Sequence, residues 1–184
     1  MLEIFEAALA HEEKVSESIR ELYRSADKEG DYDSRPLLNW FVDEQIEETK
    51  ARTAGAGSAM FLLTSAGEVN AYGPDSRFVN IVFDLLGFES AADVQAEGTH
   101  GEAVSFEAIS AADPDHLFVL DRDTAIGQSG GEAAQQVLDN ELVDGTTAAQ
   151  QDRITYVDSA SWYLVGLGLD NFPAMIDEVQ ESLS

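Results

Sequence analysis

Apolar residues recur at Phe5, Ala8, Val15, Ile19, Leu22 and Ala26, the alternating three-and-four spacing of an amphipathic helix over residues 2–27. One position on that stripe, 12, holds glutamate. Gly30 and Asp31 break the pattern. Asp33 or Ser34 can cap a second helix with Pro36 in its first turn. Its inner stripe reads Leu38, Phe41, Gln45, Glu48, so it too turns polar partway along. Residues 1–50 are therefore expected to form an antiparallel helical hairpin. Between Thr49 and Ser58 small residues and glycines end the helix. The period then changes. Ala59–Thr64 and Glu68–Tyr72 read as a strand hairpin around Ser65-Ala66-Gly67. Phe78–Leu86 has a helical pattern that stops at Gly87, and Ser105 caps a short helix that halts before Asp113-Pro114. His116–Leu120 reads as a strand, Glu132–Val143 as a helix ending near Gly145, Arg153–Val157 as a strand and Leu169–Leu183 as a final helix. Strands alternating with helices imply an α/β lobe over residues 51–184. Its three αβα layers would enclose a parallel or mixed sheet.

Composition narrows the function classes. Thirty-six acidic residues against ten basic ones give a net charge of −26. Such a surface stays soluble at high salt, and a halophilic origin is the expectation. Nucleic acid and anionic membranes are excluded as partners, because phosphate binding needs basic patches. The chain holds no cysteine, which removes disulfides, thiolate metal sites and cysteine nucleophiles. The N-terminus, Met-Leu-Glu-Ile-Phe-Glu, has neither the basic nor the apolar segment of a signal peptide, so the chain as written reads as cytoplasmic.

Candidate chemistry falls in two places. Glu12 and Glu48 lie on helix faces patterned for burial, where a charge is costly unless paired or metal-bound. They are either half of a carboxylate metal site or solvated groups near helix ends. Further on, Arg122 sits just past the His116–Leu120 strand, and ligands of α/β layers collect at the carboxyl ends of strands. It either pairs with Asp121 or Asp123 or faces a ligand. His100, between glycines, is a ligand or a solvated loop residue. Arg77, after a turn, is a surface ion pair or an anion contact. Tyr163 and Trp162 are core aromatics or cleft residues. His116, opening a core strand, reads as structural. Gly127-Gln-Ser-Gly-Gly131 fits the spacing of a nucleophile elbow. Ser129 nevertheless lies several residues past the strand, and His11, His100 and His116 all precede it, against the order such a triad needs.

Two resemblances follow. His11-Glu12-Glu13, Tyr32 and Asn39-Trp-Phe-Val-Asp-Glu-Gln-Ile-Glu-Glu48 are similar to the third and fourth helices of bacterial non-haem ferritins. That resemblance implies ferroxidase-centre roles for Glu12 and Gln45, and places Glu44, Glu47 and Glu48 at or near an adjacent iron site. The family's first two helices have no counterpart, so a complete bundle would need a homodimer to handle Fe(II) or Fe(III).

Residues 51–184 resemble the C-terminal lobe of iron–siderophore substrate-binding proteins of ABC importers, nearest the catecholate and petrobactin branch. The shared runs include Gly67–Phe78, Gly98-Thr-His-Gly101, Asp113-Pro-Asp115, Phe118–Arg122, Leu138–Val143 and Tyr156–Leu164. This resemblance implies that Arg77 and Arg122 bind the anionic chelate and that His100 and Tyr163 complete Fe(III) coordination; Trp162 beside them either stacks on a catechol ring or is buried. It further implies an importer permease as partner and an extracellular or periplasmic setting. The expected function is non-enzymatic binding of a ferric siderophore. The alternatives are ferritin-like iron oxidation by the hairpin, and a recombined or designed chimera that does neither.

Overall fold

The computed structural model describes residues 18, 21, 22, 24–26, 28–76, 79–94, 101–128, 133–165 and 171–183. Two compact units emerge, 1–47 and 48–184. In the first, the described residues between 18 and 29 are helical, and a loop leads into helix α1, Arg35–Thr53. Asp31 organises that loop. Its carboxylate accepts from the N–H groups of Asp33 and Ser34 and from the Ser34 hydroxyl, at 3.1, 3.3 and 2.6 Å. Helix α1 runs unbroken past residue 50, so Glu48 lies well inside it rather than at a fraying end.

The second unit is built on a six-stranded mixed sheet. Strands β1 (Ser58–Ser65), β2 (Glu68–Tyr72), β3 (Glu89–Ser90), β4 (Glu102–Ala103), β5 (His116–Asp121) and β6 (Ile154–Tyr156) form the order β4-β2-β1-β5-β6, with β3 also on β1. Pairing is antiparallel for β1–β2 and β2–β4, and parallel for β1–β3, β1–β5 and β5–β6. The hairpin turn is legible in its backbone. Ser65 pairs with Glu68, and both turn residues take positive φ, 52° at Ala66 and 80° at Gly67. That matches the right-handed strand twist.

Strand alternation divides the core in two. Ala59, Phe61 and Leu63 of β1 share one face with Phe118 and Leu120 of β5. Over this face pack the π-helical turn Ile81–Leu85, Trp162 of a second π-helical turn, Ser161–Val165, and helix α7, Asn171–Glu181. Met60, Leu62, Leu117 and Val119 point the other way, beneath α2 (Phe106–Ala112), α4 (Ala134–Leu138), α5 (Glu141–Asp144) and α6 (Thr147–Gln150). The expected three αβα layers are present. Each fully buried Leu or Phe contributes about 1.5–3 kcal/mol, which is why a sheet this short holds together.

Two expected helices differ. Glu132–Val143 is not one helix. Asn140 Oδ1 takes the N–H groups of Leu142 and Val143 (3.1 and 3.2 Å), and Thr146 Oγ1 takes that of Ala149 (3.3 Å), so each restarts the chain as a new N-terminus. The helix read over Phe78–Leu86 is a π turn in its described part. Ser105 caps α2 as expected, accepting from Ala108 N at 3.3 Å.

Candidate functional site

The carboxyl ends of β1, β5 and β6 meet at one edge of the sheet, with Thr64 in register with Asp121 and Val119 with Tyr156. Asp121 closes β5 and caps helix α3, Arg122–Ala125. Burial raises its pKa, but N–H groups of Thr124 (3.0 Å) and Ala134 (3.2 Å) outweigh that and hold it below the ordinary carboxylate value. Because Asp121 is committed to these N–H groups, the side chain of Arg122 is directed elsewhere.

Arg122 reaches Tyr163. Its Nε donates to the Tyr163 hydroxyl at 3.0 Å, one terminal nitrogen donates to the Ser65 hydroxyl at 3.2 Å, and the guanidinium carbon lies 5.8 Å from the Tyr163 ring centroid. The same terminal nitrogen is 4.0 Å from Asp123 Oδ1. Of the two acidic neighbours the sequence offered, Asp123 rather than Asp121 is the one that pairs with Arg122. The hydrogen bond to Tyr163 pushes the Arg122 pKa up from its already high value. The side chain stays 38% exposed, so a fixed cation faces solvent at this edge. Asp123 is itself buried and serves the turn beneath, accepting from Ala66 N (2.7 Å) and the Ser65 hydroxyl (3.2 Å).

Tyr72 lies close enough to act on Arg122 electrostatically. Its ring also covers Gly101. A Cβ at Gly101 would stand 2.5 Å from that ring and 2.7 Å from the Ala71 carbonyl. The second glycine of Gly98-Thr-His-Gly101 is therefore required by its packing against Tyr72 and Ala71. Ser65 and Tyr72 escaped sequence reasoning as site residues, and Asp123 was offered only as an ion-pair partner of Arg122. Their roles come from side chains that meet only across strands, although the flanking of the turn by Ser65 was a usable signal.

Trp162 corrects one expectation. It is fully buried, packs on Phe61 at 5.5 Å between ring centroids, and donates its indole N–H to Glu178 Oε2 at 2.8 Å. A catechol ring has no access to that face, so Trp162 anchors the turn that carries Tyr163. His116 is buried as a core-strand residue, stacked 10° from parallel on Phe118. Arg77, His100, Glu12, His11 and Ser129 lie outside the described residues.

On α1, Glu44, Glu47 and Glu48 are exposed and Gln45 is half-buried. Glu48 therefore does not occupy the buried face its spacing suggested. Among the described residues no group of three or more His, Cys, Asp or Glu side chains is placed to hold a metal ion. An apolar cavity of about 300 Å³, lined by Asn80, Ile81, Asp84, Leu85 and Phe172, involves neither Arg122 nor Tyr163. No helix among the described residues is long and apolar enough to cross a membrane.

The sequence matches the periplasmic binding protein family over residues 11–160. The chain belongs to that family. The match begins well before residue 51 and takes in α1 as well as the sheet. The petrobactin-binding protein YclQ of Bacillus subtilis is 34% identical over 169 residues, 91% of this chain and 50% of that protein. Its crystal structure superposes with a TM-score of 0.75, covering 83% of this chain and 54% of that one. The ferric-anguibactin-binding protein FatB of Vibrio anguillarum is 30% identical over 139 residues, 75% of this chain and 42% of that protein. The chain thus spans about half the length of these relatives. A bacterial non-heme ferritin of Staphylococcus saprophyticus is 46% identical over 48 residues, 26% of this chain and 29% of that protein, which supports the ferritin resemblance. Both of these binding-protein relatives are named for the ligand they bind.

Proposed function

We propose that this chain binds a ferric siderophore by supplying one wall of a chelate cleft. The observation that carries the reading is the Arg122–Tyr163 pair. A permanent cation and a phenol are fixed to each other at 3.0 Å at the carboxyl ends of the parallel strands, in a family whose relatives include proteins named for petrobactin and ferric anguibactin. A ferric catecholate is anionic and rich in oxygen acceptors. A guanidinium held in place by Tyr163 and Ser65 donates to such oxygens with little ordering cost. Arg77 is the second cation of this wall, and His100 and Tyr163 are the groups that reach Fe(III) where the chelate leaves coordination positions open. The iron is cargo, carried as its siderophore complex. Delivery to an ABC importer permease follows, on the outer side of the membrane, where the family name puts its members, rather than in the cytoplasm. In this reading residues 51–184 are the binding lobe and residues 1–50 a helical hairpin joined to it.

One wall makes fewer contacts than a closed cleft and must still offset ligand immobilisation. The expected Kd is about 10 µM to 1 mM. The test is fluorescence quenching in a Trp40→Phe background, because Trp40 is 53% exposed and Trp162 then reports alone. Ferric tris-catecholate should quench saturably, whereas metal-free catechol and ferric citrate should not. Equal, non-saturating quenching by all three would refute the proposal.

A second reading rests on the ferritin match. In it, two copies pair their helical hairpins into a homodimer in which Glu12, Gln45 and Glu48 bind Fe(II), with Glu44 and Glu47 nearby, and dissolved dioxygen is the oxidant that takes one electron from each iron. It predicts a dimer in solution and Fe(II) oxidation that Glu12→Ala abolishes. A monomer with no oxidation overturns it.

A further inference from the structure

The amino ends of the parallel strands form a second, separate feature. A pocket of about 190 Å³ is lined by Arg52, the Ala54–Ala56 segment, His116, Arg153 and Leu183. It lies one strand length from Arg122, about 17 Å along β5. Three of its lining side chains are basic by type, in a chain with ten basic and thirty-six acidic residues. Their convergence runs against the charge of the whole molecule.

His116 supplies an independent observation. It is 1% exposed, and its Nδ1 is buried with no hydrogen-bond partner. A buried imidazole nitrogen without a hydrogen-bond partner is uncommon in a native core. Its surroundings do not relieve it. Burial pushes its pKa down, and the charge of Arg153 pushes it further, whereas the Ala56 backbone and Asp115 act weakly the other way. Asp115 is the carboxylate beside the ring, yet its Oδ2 is committed to the N–H and hydroxyl of Ser58, at 2.8 and 3.1 Å. Arg52 spends one N–H on the Gln180 carbonyl at 2.9 Å and has others to give.

We propose that this pocket is a binding site for a small tetrahedral oxyanion of the phosphate class, held by Arg52 and Arg153 with His116 as its buried polar wall. The oxygens take the guanidinium N–H groups, and the anion offsets the positive charge that Arg153 places beside the buried ring. The volume admits a single oxyanion and excludes a siderophore. The site is therefore independent of the chelate wall at the opposite edge.

The test uses the full chain and inorganic phosphate, added at constant ionic strength against chloride, with the histidine Cε1–H resonances as the readout. Three histidines give three signals, and His116→Gln identifies the one to follow. That signal should shift saturably at millimolar phosphate. Arg153→Gln, at a half-buried position, should weaken the response at least about tenfold, the loss expected for one charge-assisted hydrogen bond. Ferric-catecholate quenching should be unchanged in the same variant. A His116 signal that stays still to about 50 mM phosphate, beyond the millimolar range of weak sites, overturns the proposal. So does an identical titration in Arg153→Gln.

Discussion

Replacing Trp162 with phenylalanine separates a structural anchor from a ligand-stacking residue. The indole is fully buried against Phe61, and its N–H donates to Glu178 at 2.8 Å. Phenylalanine removes that donor, at about 1–3 kcal/mol. It also leaves unfilled space where the second ring stood, at about 1–2 kcal/mol after partial relaxation. Together these give a destabilisation of about 2–5 kcal/mol, a large share of the roughly 5–15 kcal/mol available to a domain. With a urea m-value of about 2 kcal/mol/M, the midpoint should fall by about 1–2.5 M. Urea unfolding followed by circular dichroism measures this without relying on the tryptophan being replaced. Stacking on a ligand predicts the opposite pattern: a midpoint shift worth less than about 0.5 kcal/mol, with the loss confined to chelate affinity. That outcome would refute the assignment of Trp162 to the core.

Two further perturbations probe the scaffold. Burial raises the Glu178 pKa above its ordinary 4.5, with Asp158 and Glu181 adding to the rise and hydrogen bonds from Asp158 N and Trp162 opposing it. The folded state then holds this proton more tightly than the unfolded one, so its stabilising contribution is present below about pH 4.5 and is lost as pH rises through the folded value. Glu178→Gln should flatten that part of the stability–pH curve and leave the variant the more stable form at neutral pH; an unchanged curve would contradict it. Gly57 sits at φ 100°, and a Cβ there would lie 2.2 Å from Asp115 Oδ2 and 2.9 Å from Asp115 Cβ. Gly57→Ala should cost about 2–4 kcal/mol, combining backbone strain with displacement of the Asp115–Ser58 hydrogen bonds, and a urea midpoint equal to the parent's would contradict that.

The parts of this fold legible in sequence are those with local causes. The turn at Ser65-Ala66-Gly67 needed positive φ at two adjacent positions, and glycine at the second announced it. Ser105 and Asp113-Pro114 bracketed α2 by capping chemistry that acts within a few residues. The continuous apolar runs of β1 and β5 implied burial on both faces, and both faces are buried. The helix expected over Glu132–Val143 failed because the apolar pattern ran on through Asn140, whose side chain interrupts the backbone. Asn140 was visible, but periodicity outweighed it. Glu48 failed for the reverse reason. The stripe suggested burial, yet a charge on a long helix finds solvent by a small rotation of the face presented. At the site, resemblance supplied Arg122 and Tyr163 separately. Their direct hydrogen bond, and the shared support of Ser65, Tyr72 and Asp123, depends on the β1–β5 register and on the π turn, and no local pattern encodes either.

The central claim is that the Arg122–Tyr163 edge is a chelate-binding wall. Equilibrium titration of ferric tris-catecholate against the Trp40→Phe chain, with and without Arg122→Gln and Tyr163→Phe, tests it most directly. Arg122→Gln should raise Kd at least about tenfold, the worth of one lost charge-assisted contact. Tyr163→Phe should raise it less than or as much as Arg122→Gln, and the double variant by less than the product of the two, because the two side chains share a hydrogen bond. Equal affinity in all four chains would contradict the account.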